Sequence, residues 1–250
     1  MTFNLSKTNF IAFGKSSPRL SLNIENTAIP ASNTVKDLGL TISSNLSWSS
    51  HIKLKVKSAY SIFYNLKRSM PPNTHWHTKI TLFKSYILST ALYASEIWCP
   101  SKTDLTRLEL LQSRVLKWAL PGSNYKERLL KAKMLPISLE IQLRSPILLN
   151  RLLNRFYSNF PILSHISFTI PNSGAYNTRL SEKSMFHLPK VKKTRTTHDF
   201  FYRVPKLVNY FHANTNVDIF KNPASFKYTS VAEFNKLFSL NICNLDQLYM

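Results

Sequence analysis

The sequence predicts an α+β protein that is mainly α: a small antiparallel β-sheet or hairpin at the N-terminus, a helical bundle after it and an irregular C-terminal region. Three observations carry this expectation. Residues 20–24 alternate apolar and polar between Pro18 and Pro30, apolar residues recur every three or four positions over 52–63, and Pro71, Pro72, Pro121, Gly122 and Pro136 cut the middle into helix-sized pieces. The corresponding segments are 1–46, 47–158 and 159–250.

Strand signals occupy 10–13, 20–24 and 35–42, with Gly14, Pro18 and Pro30 between them. Asn45, Ser47 and Ser49 supply capping chemistry for a helix over 50–67, in which Ile52, Val56, Tyr60 and Phe63 gather on one face and Lys53 and Lys57 on another. Pro71 and Pro72 end it. A second helix spans 75–93 with Ile80, Phe83, Ile87 and Ala91 inward. A third starts near Thr103 and Asp104, stops at Pro121-Gly122, turns Leu105, Leu108, Val115 and Leu116 inward, and packs on the second. After Pro136, Ser138 caps a segment running to Phe156, with a kink or break at Pro146, where the amide hydrogen is missing. Residues 160–189 are rich in Pro, Ser and Asn and read as a linker or irregular loop. Helical spacing returns over 200–212 and over 231–240, where Phe234, Leu237 and Phe238 recur.

Composition narrows the function. A hydrophobic fraction of 44% over 250 residues is enough for a packed core. Lys and Arg number 33 against 12 Asp and Glu, a net charge of +21, which favours a polyanionic partner such as RNA or DNA. Cys99 and Cys243 are the only cysteines, so neither a disulfide framework nor a Cys-x-x-Cys metal pair exists, and a reducing compartment fits. The polar N-terminus lacks the apolar core of a signal peptide, and the longest apolar stretch, 86–98, is interrupted by Ser89, Ser95 and Glu96. The expectation is a cytoplasmic or nuclear protein, not secreted and without a membrane partner.

Catalytic chemistry finds little footing. The twelve carboxylates are scattered, with no adjacent pair of the kind that holds two metal ions for phosphoryl transfer. Most lie at helix starts or beside Lys and Arg, where capping and charge balance account for them. His75 and His77 flank Trp76 in what reads as a helix entrance, and no histidine stands in a nucleophile motif. No metal ligand and no cofactor is assigned.

Phosphate contact is the stronger chemistry. Lys53, Lys55, Lys57, Lys67, Arg68, Lys79 and Lys84 lie within 38–95, a stretch with no Asp or Glu, whereas a paired surface helix alternates signs. Trp48, Tyr60, Tyr64 and Trp76 are interleaved as stacking groups or core, with the spacing of Tyr60 favouring core. A second run, Lys190, Lys192, Lys193 and Arg195, reads as a hydrated loop, a nuclear-import signal or another phosphate contact.

Asn4, Lys7 and Thr8 in FNLSKTNFIAF resemble the Asn-x-x-Lys-Thr block of motif D in LINE-type, non-LTR retrotransposon reverse transcriptases. KDLGL at 36–40 is similar to the family's primer-grip hairpin, with Leu38 and Gly39 carrying the match. NLSWSSHI at 45–52, Ile97-Trp98 and LELLQSRVLKWALPG at 108–122 resemble its thumb, and RTTHDFFYRVPKLVN at 195–209 resembles a block near the end of such reading frames. The resemblance implies a residual palm with a primer-grip-like hairpin over 1–46, a thumb-like helical domain over 47–158, and a linker with a C-terminal helical segment over 159–250. It implies an RNA and DNA template–primer duplex as partner, held by the lysines above and Trp48. Lys7 would be a motif D-like lysine, protonating the pyrophosphate leaving group only where a palm stands in front of it. The family's paired aspartates, and with them the magnesium expected of an intact parent enzyme, precede that block, and only Met1 to Phe3 stand ahead of it here. The expectation is a reverse-transcriptase fragment inactive by itself, the alternative a domesticated, non-catalytic helical RNA-binding or scaffold protein.

Overall fold

In the computed structural model, which describes residues 8–13, 22–24, 27–154, 161–169, 184–190 and 199–239, the N-terminal strand signals become two separate antiparallel hairpins. Strand β1 (Leu22–Ile24) pairs with β2 (Thr27–Ile29), and β3 (Thr34–Asp37) pairs with β4 (Leu40–Ser43) in the register Thr34 to Ser43 and Asp37 to Leu40. The run 35–42, which reads as one strand, therefore folds back on itself. Leu38 and Gly39 both take positive φ, 44° and 83°, the pair of values a two-residue type I′ hairpin turn needs. Of the strand expected at 10–13, only an isolated bridge between Phe10 and Ala31 forms, with Ser32 N–H donating to the Phe10 carbonyl at 2.8 Å.

The remainder is mainly helical, and the chain divides into two compact units: Met1–Ala94 with Pro100–Gly122, and Ser95–Cys99 with Ser123–Met250. In the first, α1 (Ser49–Ser69) buries Ile52, Val56, Ala59 and Phe63. Its N-cap is Trp48, without a side-chain cap; Asn45 and Ser47 instead accept from the N–H groups of Ser47 and Ser49, shaping the turn before the helix. Met70 is extended, as the residue before Pro71 must be, and ends α1.

The second helix opens as α2 (Trp76–Leu82), capped by His75 Nδ1 accepting from the His77 N–H at 3.3 Å. It widens into a π-helical turn, Phe83–Leu88, and closes as α3 (Ser89–Ala91). The wider turn shifts the apolar seam by one position: Ile80, Phe83 and Ile87 lead into Leu88, Ala91 and Leu92, all buried. Thr81 and Ser85 hydroxyls donate back to carbonyls four residues earlier, which relieves carbonyls on the solvent side and bends a helix.

Helix α4 (Lys102–Ala119) is capped by Ser101, whose Oγ accepts from the Asp104 N–H at 3.2 Å, so Asp104 sits in the first turn rather than at the cap. Leu108, Leu111, Val115 and Leu116 are fully buried, while Leu105, expected inward, is half-buried. Helices α1 and α4 run parallel: Ser49 bonds Asp104, Arg114 lies over Tyr60, and Phe63 meets Trp118 edge to face, three contacts with nearly the same offset.

The second unit contains a helix that apolar periodicity did not announce, α5 (Tyr125–Ala132). Its start is a capping box, with Glu127 N–H donating to Asn124 Oδ1 at 2.9 Å and Asn124 N–H to Glu127 Oε2 at 3.3 Å. Helix α6 (Ile137–Leu153) passes unbroken through Pro146, where a kink or break is expected from the missing amide. Its other turns hold because α7 (Phe200–Asn214) and α8 (Pro223–Ser239) pack on it and Pro146 itself is buried. From α6, Asn150 Nδ2 reaches the carbonyls of Ile219 and Lys221, fixing the α7–α8 connection.

Within the expected irregular stretch, Pro161–His165 forms a 3-10 turn and Phe168 bridges Phe186. The Asn209 amide brackets Phe186 with two bonds of 2.8 Å, donating to its carbonyl and accepting from its N–H. Helix α8 starts eight residues before the periodic signal at 231 because Asn222 accepts from the Ser225 N–H and Pro223 fits the first helical position. The Leu237 side chain lies outside the described residues.

Candidate nucleic-acid interface

Four of the candidate cations project from α1. Lys53, Lys57, Lys67 and Arg68 are exposed, and among the described residues no carboxylate is seen to pair with any of them; carboxylates elsewhere engage other cations, as in Arg107–Asp104, Arg144–Glu96 and Arg144–Glu140. The absence of Asp and Glu over 38–95 deprives α1 of the acid partners one turn away that a helix surface usually supplies for itself. Lys84 is exposed on the π-helical turn.

Two other candidates turn to aromatic rings. Lys55 is half-buried, its Nζ 4.1 Å from the centre of the Tyr93 ring, and Lys79 Nζ lies 5.1 Å from the Trp118 ring. Burial, and after it the charge of Lys36, holds Lys55 below the usual lysine range.

The turn at Leu38 and Gly39 belongs to this same cluster. Leu38 is 85% exposed at its tip, and its carbonyl accepts from the Tyr93 hydroxyl at 2.7 Å. Gly39 lies so close to Tyr93 that a Cβ there would stand 3.3 Å from Cε1, in addition to the strain of positive φ. Behind the turn, His51 is buried and accepts at Nδ1 from the Thr41 N–H at 3.1 Å. Burial first, then Lys55, lowers its pKa, while the nearby Tyr93 backbone pulls the other way. Trp48 is half-buried with its ring edge-on to His51 at 6.3 Å.

Tyr60 sits differently from the core position its spacing favoured, and Tyr64 beside it is open to solvent. Tyr60 is half-buried and Tyr64 is 49% exposed, with rings nearly parallel, 21° apart in plane and 6.1 Å between centres. The Arg114 guanidinium lies 5.5 Å from the Tyr60 ring on its α4 side. Burial raises the Tyr60 pKa even against that cation. Arg114 and Tyr93 were not singled out by sequence reasoning, because each meets its partner, Tyr60 or Leu38, across more than 50 residues that local patterns do not encode.

Lys7, Lys192, Lys193 and Arg195 lie outside the described residues. Among the described residues no group of three His, Cys, Asp or Glu is placed to hold a metal ion, and no helix is long and apolar enough to cross a membrane. Comparison with protein families, with curated proteins and with solved structures finds no match to this chain.

Proposed function

We propose that the chain binds an RNA and DNA template–primer duplex, as the end of the palm and the thumb of a LINE-type reverse transcriptase do, and that its contribution is grip rather than chemistry. The observation that carries the proposal is the α1 surface, where Lys53, Lys57, Lys67 and Arg68 are exposed with no described carboxylate partner. Cations held in this way release condensed counterions from a nucleic-acid backbone on binding. The hairpin turn at Leu38 and Gly39 supports the same reading: its glycine keeps the tip narrow, Tyr93 fixes its backbone, and Lys36 and Lys55 flank it. A hybrid duplex is read chiefly through its shape, phosphates and sugar hydroxyls, so sequence preference should be weak.

The test is hybrid-duplex affinity measured across a salt series for the wild type and for the Lys53→Glu, Lys57→Glu double variant. The wild type should lose affinity as salt rises, by roughly 0.9 in log K per unit of log salt for each phosphate contact. The double variant should bind much more weakly, with a slope shallower by about 2, while its helical circular dichroism is kept. Unchanged affinity in the variant, or a wild type indifferent to salt, overturns the proposal.

A further inference from the structure

Along α1, Lys53, Lys57, Tyr60, Tyr64 and Lys67 follow one another at intervals of four, three, four and three residues. That spacing places them on one stripe of the helix, a single position away from the buried seam of Ile52, Val56, Ala59 and Phe63. The two tyrosines are thus set between cations, with Lys57 about one turn before Tyr60 and Lys67 about one turn after Tyr64.

Across the pair, the layers run from the Arg114 guanidinium to the Tyr60 ring to the Tyr64 ring, with separations of 5.5 and 6.1 Å. Phe63 backs Tyr64 at 5.2 Å and is itself held edge-on by Trp118 at 5.7 Å, so the outer ring is supported from the core. A hydrophobic core does not require Tyr64 on this stripe, since the seam beside it is already complete and half the residue stays exposed. A half-exposed aromatic ring between cations that have no described carboxylate partner is what unstacked nucleobases and their phosphates use.

We infer that this stripe is a stacking site for single-stranded nucleic acid: a base lies on the open face of Tyr64 as the next layer of the series, with adjoining phosphates against Lys57 and Lys67. The inference rests on the nucleic-acid reading above and adds to it a second mode of binding. Duplex bases are stacked on each other and cannot offer a face, so Tyr64 discriminates strandedness where the lysines do not. Because every base has such a face, the site tolerates sequence, and RNA and DNA strands share the chemistry it recognises.

The experiment uses the full chain with fluorescent oligo(U) and oligo(dT) of about twelve nucleotides, and a hybrid duplex of the same length, at one fixed salt concentration. Tyr64→Leu keeps an apolar side chain without the ring and should weaken single-strand binding about tenfold while leaving the duplex within about twofold. Tyr64→Trp should bind the single strands at least as well as the wild type, with indole emission quenched on binding. Equal single-strand affinity in wild type and Tyr64→Leu overturns the inference, as does a loss shared equally by the duplex. Should Lys53→Glu with Lys57→Glu abolish duplex binding while Tyr64→Leu changes nothing, stacking fails and the grip survives; should the wild type bind neither strand form, both fail.

Discussion

His51 shows how one residue can tie local pattern to pH. Its Nδ1 accepts from the Thr41 N–H, which requires an unprotonated nitrogen there, so the neutral ring carries its proton on Nε2. Burial and Lys55 on the same helix disfavour the imidazolium, and the Tyr93 backbone offsets them only in part. The folded pKa therefore lies below the unfolded value of 6.5, and the stability it contributes is complete above that pH and is lost as the pH falls through the folded pKa. The urea midpoint of the wild type should drop between about pH 7.5 and about pH 5.5. In His51→Asn, whose amide oxygen can still accept from Thr41, that drop should flatten; a wild-type midpoint constant over the window would contradict the assignment. Asp104 acts in a separate range. Burial alone would raise its pKa, but hydrogen bonds from Ser101, Ser49 and Arg107 outweigh this, so its contribution is lost only as the pH falls below 3.8. That Asp104 serves a helix start was legible from its place before an apolar run; that it is 1% exposed and also bonded by Ser49 was not, since Ser49 is 55 residues away.

At the scale of elements, the hairpin β3–β4 rests on Gly39, which no other residue type replaces at low cost. Gly39→Ala adds a left-handed strain of about 1 to 2 kcal/mol and a methyl pressed on the Tyr93 ring, so chemical denaturation should show a loss of at least that order. A variant as stable as the wild type would mean that Tyr93 does not pack on the turn. The residue pattern read through this turn as strand because Leu38 is an apolar, branched residue in a position usually held by Asn, Asp or Gly and alternation on both sides continues through it, so only the resemblance at 36–40 implied a hairpin there. Helices α1, the α2–α3 helix and α4 were legible because apolar spacing fills each of them and Pro71-Pro72 and Pro121-Gly122 punctuate the ends of α1 and α4. Helix α5 has only eight residues, too few for periodicity to register, yet Asn124 and Glu127 spell a capping box that a search for caps alone would have found. Pro146 does not break α6, because a local rule about one missing hydrogen bond takes no account of α7 and α8 packed on that helix.

For the molecule as a whole, a charge of +21 is a source of internal repulsion that salt can relieve. Shortening the screening length from about 30 Å at 0.01 M to about 8 Å at 0.15 M ionic strength should raise the thermal midpoint, whereas a neutral osmolality control should not reproduce the rise at that concentration. No rise would mean that the cations are already balanced in the folded state. The charge, and its concentration in the stretch without acids, was plain from composition. Which lysines stand clear and which bend over Tyr93 or Trp118 was not, because that sorting depends on partners reached only after folding.

The side-by-side course of α1 and α4 has an electrical consequence. Parallel helices add their macrodipoles, so both positive ends gather where Ser49 and Ser101 meet Asp104, and both negative ends gather at 69 and 119. The carboxylate of Asp104 quenches the first pole from within. Lys67, Arg68 and Lys117 reverse the sign of the second from without, so attraction for phosphate at that pole is set entirely by side chains that mutation can tune, against a backbone field that it cannot.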